Sequence, residues 1–211
     1  TTRNRIICVY TDEEKQIVFM DTPGVHKPKH KLGEFMVDAA IESLKETEAV
    51  LFVVAGNEKR GPGDNFIIEQ LKRVKVPVFL VVNKIDTLQK EQVLEAIVSY
   101  QDAYPFAGVI PISAKNKENL SELLNVLGEH LPEGLQYFPE DMITDQPERL
   151  IISDIVREKI LLSTRDEIPH AIAVDVDEMK TRDDGTTYIR ATIYCERDSQ
   201  KGIIIGNKGA L

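Results

Sequence analysis

Five apolar residues in a row, Val78-Phe79-Leu80-Val81-Val82, run straight into Asn83-Lys84-Ile85-Asp86. A strand with one wet face alternates apolar and polar residues. An unbroken run of this length, three of its five members β-branched, is instead a strand covered on both faces, as in the middle of a parallel sheet. In open α/β sheets, ligands are held just beyond the carboxyl ends of such strands. There, the two acceptor oxygens of Asp86 match the two adjacent N–H donors on guanine's Watson–Crick edge. Adenine presents an acceptor at one of those positions, so the same carboxylate repels it. Asn83 can hydrogen-bond the base from another edge, and the Lys84 stem can lie along the ring plane. A guanine nucleotide is the implied ligand. A strand ending in an ordinary polar turn is the alternative, and four residues alone do not decide between the two.

Composition narrows the class. The 211 residues are 42% hydrophobic and 29% charged, ordinary values for a globular protein with room for one medium or two small domains. No apolar run approaches the roughly 20 residues that a spanning helix needs. Cys8 and Cys195 stand far apart in strand-like runs with no Cys-x-x-Cys or His/Cys cluster beside them, which argues against zinc and for a reducing compartment. A net charge of −9 argues against broad electrostatic binding to nucleic acid, while leaving room for RNA read locally. The chain opens Thr1-Thr2-Arg3 and stops at Ala210-Leu211 within an apolar-glycine pattern, and both ends read as cut from something longer.

Taken in order, Arg5–Tyr10 and Gln16–Met20 form a hairpin across the polar link 11–15. A loop rich in Lys, His, Pro and Gly follows, then a helical pattern through Leu32, Phe35, Met36, Ala39, Ala40 and Leu44. Strand Ala49–Ala55, helix Asp64–Val74, strand Val76–Val82, helix Lys90–Tyr104, strand Val109–Ile112 and helix Ser121–Leu131 complete a mostly parallel α/β sheet. Residues 132–148, with Pro132, Gly134, Pro139 and Pro147, read as an ordered linker. From 149 to 211 a second unit begins with a helical stripe from Ile151 to Leu161. Ile168–Val176 and Tyr188–Cys195 then alternate as strands, and the run Ile203–Ile205 leads into Gly206-Asn207-Lys208-Gly209.

Asp21-Thr22-Pro23-Gly24, just past a strand, suits a phosphate and its metal. An Asp in that place can hold Mg²⁺, usually through water. A Gly three residues later lets its N–H approach a γ-phosphate without a Cβ in the way. Loss of that phosphate breaks the tether, which makes a switch. Ser113-Ala114-Lys115, also past a strand, can face guanine opposite Asp86 through backbone N–H groups. Thr2, ahead of the hairpin, can complete the metal shell. A plain turn is the alternative for each motif alone, but their order at successive strand ends is hard to produce by chance.

With those motifs in that order, the chain resembles the translation-factor-related GTPases. Apolar Val25 places it with the branch that lacks a water-orienting Gln at this position. Nowhere do the 211 residues contain the phosphate loop Gly-x-x-x-x-Gly-Lys-[Ser/Thr]. The expected fold is therefore an incomplete P-loop GTPase sheet over residues 1–131. A truncated α+β KH domain of the bacterial type (type II) follows over 149–211. Ile205-Gly206-Asn207-Lys208-Gly209 resembles the KH Gly-x-x-Gly loop, which presses on a nucleic-acid backbone and leaves roughly four unpaired bases across an apolar groove. The remaining KH helices and strand are expected beyond Leu211.

This pairing, with the segments Phe138–Asp145, His26–Gly33 and Glu196–Gly202, resembles the Era family of bacterial ribosome-assembly GTPases. That resemblance implies GTP/GDP and Mg²⁺ as ligands. It also implies 16S rRNA near its 3′ end and the small ribosomal subunit as partners. The implied location is the cytoplasm, with peripheral association at the inner face of the membrane. A tRNA-modification or tandem ribosome-assembly GTPase lacks a KH domain with a true Gly-x-x-Gly. A non-enzymatic RNA-binding module with a degenerate nucleotide fold lacks any upstream phosphate loop. Residues 1–211 by themselves are expected to bind GTP weakly and to hydrolyse it negligibly. Calorimetry is the check, and micromolar or tighter binding contradicts the expectation.

Overall fold

A computed structural model describes residues 6–21, 44, 47–164 and 171–206. The expected loop after Asp21, the helix around Phe35 to Ala40 and both opening threonines lie outside the described residues. The chain divides between Ile143 and Thr144 into two compact units. Part of the expected linker therefore belongs with the first unit.

In the first unit, β1 (Ile6–Thr11) and β2 (Gln16–Asp21) pair antiparallel from Ile6↔Asp21 to Thr11↔Gln16. Asp12 fixes their turn. Its Oδ1 accepts the N–H groups of Glu14 and Lys15, both at 2.9 Å, which is the Asx geometry that lets Asp begin tight turns. Its Oδ2 takes the Tyr10 hydroxyl at 3.1 Å and lies 3.3 Å from Lys15 Nζ.

Three further strands, β3 (Val50–Ala55), β4 (Val78–Asn83) and β5 (Gly108–Pro111), pair in parallel in the order β3-β4-β5. The helices α1 (Pro62–Leu71), α2 (Lys90–Gln101) and α3 (Leu120–Gly128) connect or follow them. The five apolar residues of β4 are all buried, and alternation along the strand sends them to different cores. Val78, Leu80 and Val82 join Val50, Phe52, Ile68, Leu71 and Tyr100 on one side. Phe79 and Val81 join Ile17 of the hairpin, Ile110, Leu123 and Leu127 on the other. The expected double burial is met, with α1 and α2 covering one face and α3 plus the hairpin covering the other.

The second unit is smaller. It runs α4 (Glu148–Ser163), β6 (Ile172–Thr181), β7 (Thr187–Cys195) and α5 (Asp198–Ile205). The two strands pair antiparallel with a bulge between Val176 and Glu178. Their turn passes through Gly185 at φ 82°. Ile160 and Ile172 make the buried centre, with Val156, Val174, Cys195 and Ile204 against it. Ser153 Oγ ties α4 to the Val174 carbonyl at 2.5 Å.

Helix α5 is an addition to the expected order of helix and two strands: the apolar run Ile203–Ile205 that leads into the glycine loop is the last turn of a helix. A side-chain cap starts the helix: Gln200 Oε1 accepts the Arg197 N–H at 3.0 Å. Packing holds it, since Ile204 reaches the core while Ile203 and Ile205 stay exposed. Tertiary contact here overrides the strand preference of three consecutive isoleucines.

The Asp12 carboxyl is held at about 2, first by the Glu14 N–H bond. A lowered carboxyl stabilises the turn fully above its unfolded value near 3.9. That contribution fades as pH falls through about 2. In NMR titrations, the Glu14 and Lys15 amide shifts are expected to move near pH 2 and not near pH 4. In Asp12→Asn the step should vanish.

Candidate functional site

The apolar run of β4 ends at Asn83, and the chain turns at once. Lys84 adopts the left-handed conformation (φ 68°, ψ 30°), and Ile85–Thr87 form one 3-10 turn. Asn83 Oδ1 accepts the Lys84 N–H at 2.7 Å and the Ala114 N–H at 3.0 Å. One side-chain oxygen thus stitches the end of β4 to the loop after β5. A second stitch lies beside it. Ser113 Oγ donates to Asp86 Oδ1 at 2.6 Å and itself accepts the Asn116 N–H at 3.1 Å. Ser113 is wholly buried, so its hydroxyl has no water to fall back on. The Ile85 N–H reaches the Ile112 carbonyl at 3.3 Å, and Ser113 and Glu118 exchange backbone hydrogen bonds that close the loop.

The sequence-predicted residues Asn83, Lys84, Ile85, Asp86, Ser113 and Ala114 are therefore brought together at the carboxyl edge of the parallel sheet. Lys115 follows on the same loop, exposed. Ala114 differs from expectation in one respect: its N–H is turned to Asn83 and holds the two loops together. Asp21 stands exposed as the last residue of β2. Thr2, Thr22, Pro23, Gly24 and Val25 lie outside the described residues.

Two residues here were not singled out from sequence. The Gly56 N–H donates to the Asn83 carbonyl at 2.8 Å. A Cβ on Gly56 would come within 2.9 Å of Val82 Cγ1 and 3.0 Å of Leu88 Cδ1, so the close approach needs glycine. Glu58 Oε1 lies 3.7 Å from Lys84 Nζ, with both side chains more than half exposed. An exposed pair at that distance contributes little stability, yet it gives the Lys84 head a direction. Ala55-Gly56-Asn57-Glu58 follows a strand that neighbours β4, and that position was the available signal.

In the second unit Ile205 is the last residue of α5, and Gly206 ends the helix at φ 70°, ψ −178°. That region of backbone space is essentially glycine's alone. The Gly206 N–H is shared between the Gly202 and Ile203 carbonyls, each at 3.2 Å. The glycine loop thus starts at a helix end. Asn207, Lys208 and Gly209 lie outside the described residues.

Two loops stitched together at the carboxyl edge of a parallel sheet, followed by a helix, two antiparallel strands and a helix that ends at a glycine, set the arrangement against which known families can be compared. Residues 2–133 match the elongation factor Tu GTP binding domain, and residues 167–211 match the KH domain. Among solved structures, the chain is similar to Era in complex with MgGDPNP and nucleotides 1506–1542 of 16S ribosomal RNA. The two are 40% identical over 99% of this chain and 72% of that one, with a TM-score of 0.84. A variant of Aquifex aeolicus Era bound to GDP·AlF4⁻ matches equally, at 40% identity, the same coverage and a TM-score of 0.84. Elongation factor SelB from Methanococcus maripaludis shares only the fold, with 20% identity, a TM-score of 0.50, and coverage of 64% of this chain and 30% of that one. The chain belongs to the Era family.

Ser113→Ala removes the donor to Asp86 and the acceptor of the Asn116 N–H together. Asp86 is half-buried and Asn116 exposed, so water can replace the lost hydroxyl in part and the cost is about 0.5–1.5 kcal/mol per bond. Urea unfolding of the first unit is expected to register that loss as a lower midpoint with an unchanged slope.

Proposed function

We propose that the chain is the guanine-reading and RNA-binding part of a GTP-hydrolysing ribosome-assembly factor. It acts on 16S rRNA near its 3′ end while the small subunit matures. The observation that carries this reading is the stitched pair of loops at the end of β4, where Ser113 orients Asp86 and Asn83 binds Ala114. The residues fit a guanine: the hydroxyl takes one face of the Asp86 carboxylate, and Asp86 is only half-buried. The carboxylate accepts the two N–H donors of the base, Lys84 covers the ring plane, and Lys115 closes the far side. Gly56 keeps the backbone close enough to support Asn83 from behind.

Asp21 at the end of β2 is an oxygen donor of the hard type that Mg²⁺ takes. Thr2 and Asp21 would hold the ion, Asp21 through water, and the bound ion would neutralise phosphate charge. Thr22, Pro23, Gly24 and Val25 would sense the phosphate, the glycine leaving room for a γ-phosphate that a Cβ would crowd. Because Val25 has no polar atom to orient water, that task falls to another group. In the second unit, Ile205 and Gly206 begin the contact surface, Asn207 offers a neutral hydrogen-bonding side chain, Lys208 neutralises phosphate, and Gly209 allows close approach. The solved complex of an Era relative with 16S rRNA nucleotides and MgGDPNP supports both halves of the reading. No helix among the described residues is long and apolar enough to cross a membrane. A cytoplasmic location with peripheral attachment at the inner face fits the same role. Residues 1–211 hold the base reader without a phosphate loop, so alone they should select guanine weakly and turn over little GTP.

The test is a change of base in the full-length protein. Asn in place of Asp86 presents one acceptor and one donor, the complement of xanthine. Asp86→Asn is expected to lose GTP affinity by about 100-fold, roughly 3 kcal/mol. Its binding to a 16S rRNA 3′-end oligonucleotide should then respond to xanthosine triphosphate and not to GTP. A variant that still prefers GTP would overturn the assignment.

A further inference from the structure

The hairpin holds more than its own turn. Gln16, the first residue of β2, spends its side-chain amide on the segment that leads to the second unit. Its Oε1 accepts the N–H groups of Tyr137 and Phe138, each at 3.0 Å. Its Nε2 donates to the Phe138 carbonyl at 2.9 Å and to Thr11 Oγ1 at 3.0 Å. A primary amide has two donors and two acceptor lone pairs, so every position on this one is filled. Farther along, the Val9 N–H of β1 donates to the Ile143 carbonyl at 2.9 Å, and a turn between Pro139 and Met142 lies in between. Residues 137–143 therefore form a strap that runs from the hairpin tip back along β1. Beside Gln16, the Lys15 side chain crosses the end of α3, where a Cβ on Gly128 would come within 2.9 Å of Lys15 Cδ.

None of these groups belongs to the base-reading loops. At the other end of the hairpin stands Asp21, paired with Ile6. Six residues of strand put it about 20 Å from the tip. A fully paired hairpin transmits a shift along its length, because its cross-strand hydrogen bonds fix the register of both strands together. We infer that Gln16 is a positioning residue, a latch that ties the strap 137–143 to the hairpin and passes the nucleotide state at the Asp21 end to the RNA-binding unit. The inference rests on the proposed function, which places phosphate and metal at Asp21 and RNA on the second unit. If the strap only covered the edge of β1, losing the latch would change stability and leave the response to nucleotide intact.

The experiment uses the full-length protein and a 16S rRNA 3′-end oligonucleotide. RNA affinity is measured with a non-hydrolysable GTP analogue and with GDP, and the ratio is the readout. Coupling between sites of this kind is about 5–150-fold. Gln16→Met keeps the shape and removes all four hydrogen bonds. Its ratio is expected to fall close to one, with GDP affinity unchanged. Gln16→Glu keeps the acceptors for Tyr137 and Phe138 and loses both donors, so its ratio should fall in between. It also serves as the test variant if Gln16→Met does not fold. A folded Gln16 variant with the wild-type ratio overturns the latch and leaves the proposed function standing. A wild-type ratio of one overturns the nucleotide-controlled RNA binding itself, and the latch with it.

Discussion

Strand β4 must be covered on both faces, and the first unit is arranged around that demand. Each of its apolar side chains is worth about 1.5–3 kcal/mol when fully buried. Five of them at 0–2% exposure are more than one layer can hold. Alternation sends three to the α1 and α2 side and two to the α3 and hairpin side. The strand's polar end is then pinned at the carboxyl edge of the sheet, where Asn83 and Asp86 are half-buried and Ser113 is wholly buried. Polar groups in such a place need partners, and they find them in each other. Asn83 with Ala114, and Asp86 with Ser113, follow from β4 ending where it does.

The second unit rests on much less. Among the described residues, its buried apolar side chains are Ile160, Ile172 and Val176, with four partly buried neighbours packed against the two isoleucines. Meanwhile Tyr188, Ile193, Tyr194 and Ile203 of β7 and α5 remain exposed. A unit with so little apolar burial opens locally at a lower cost than one built around β4. Its glycine loop is anchored by a local device, the stop at Gly206, where the backbone enters a region closed to other residues.

Much of this could be read from the residues because the decisive signals were local. An unbroken apolar run, a short polar link and alternating strands and helices each act within ten residues or so. They led to β4, the hairpin and the parallel order. The strand-end motifs also placed Asn83, Asp86 and Ser113 correctly at one edge, since in a parallel sheet neighbouring strands end together. What escaped was set by distant partners. Gln16 meets residues 121 and 122 positions away, and nothing near it in sequence says so. Glu58 reaches Lys84 from another strand's end. Helix α5 is not legible in Ile203-Ile204-Ile205, since three consecutive isoleucines carry no helical spacing. The cap at Gln200 and the packing of Ile204 against the core favour the helix.

Magnitudes separate what this protein can switch from what it cannot. Burial of β4 amounts to roughly 10 kcal/mol by area reckoning, far beyond the few kcal/mol by which a ligand can favour one state over another. The stitched loops at Asn83 and Asp86 are bolted to that strand, so under the proposed function guanine selection would stay the same in every state. Hydrogen bonds of the Gln16 kind contribute about 0.5–1.5 kcal/mol each. Four such bonds hold the strap to the hairpin through Gln16 and Val9, together about 2–6 kcal/mol, whose lower end overlaps the 1–3 kcal/mol typical of coupling between sites. On the proposed reading, recognition belongs where the fold is strongest, and the latch belongs where a nucleotide's own binding energy is large enough to move it.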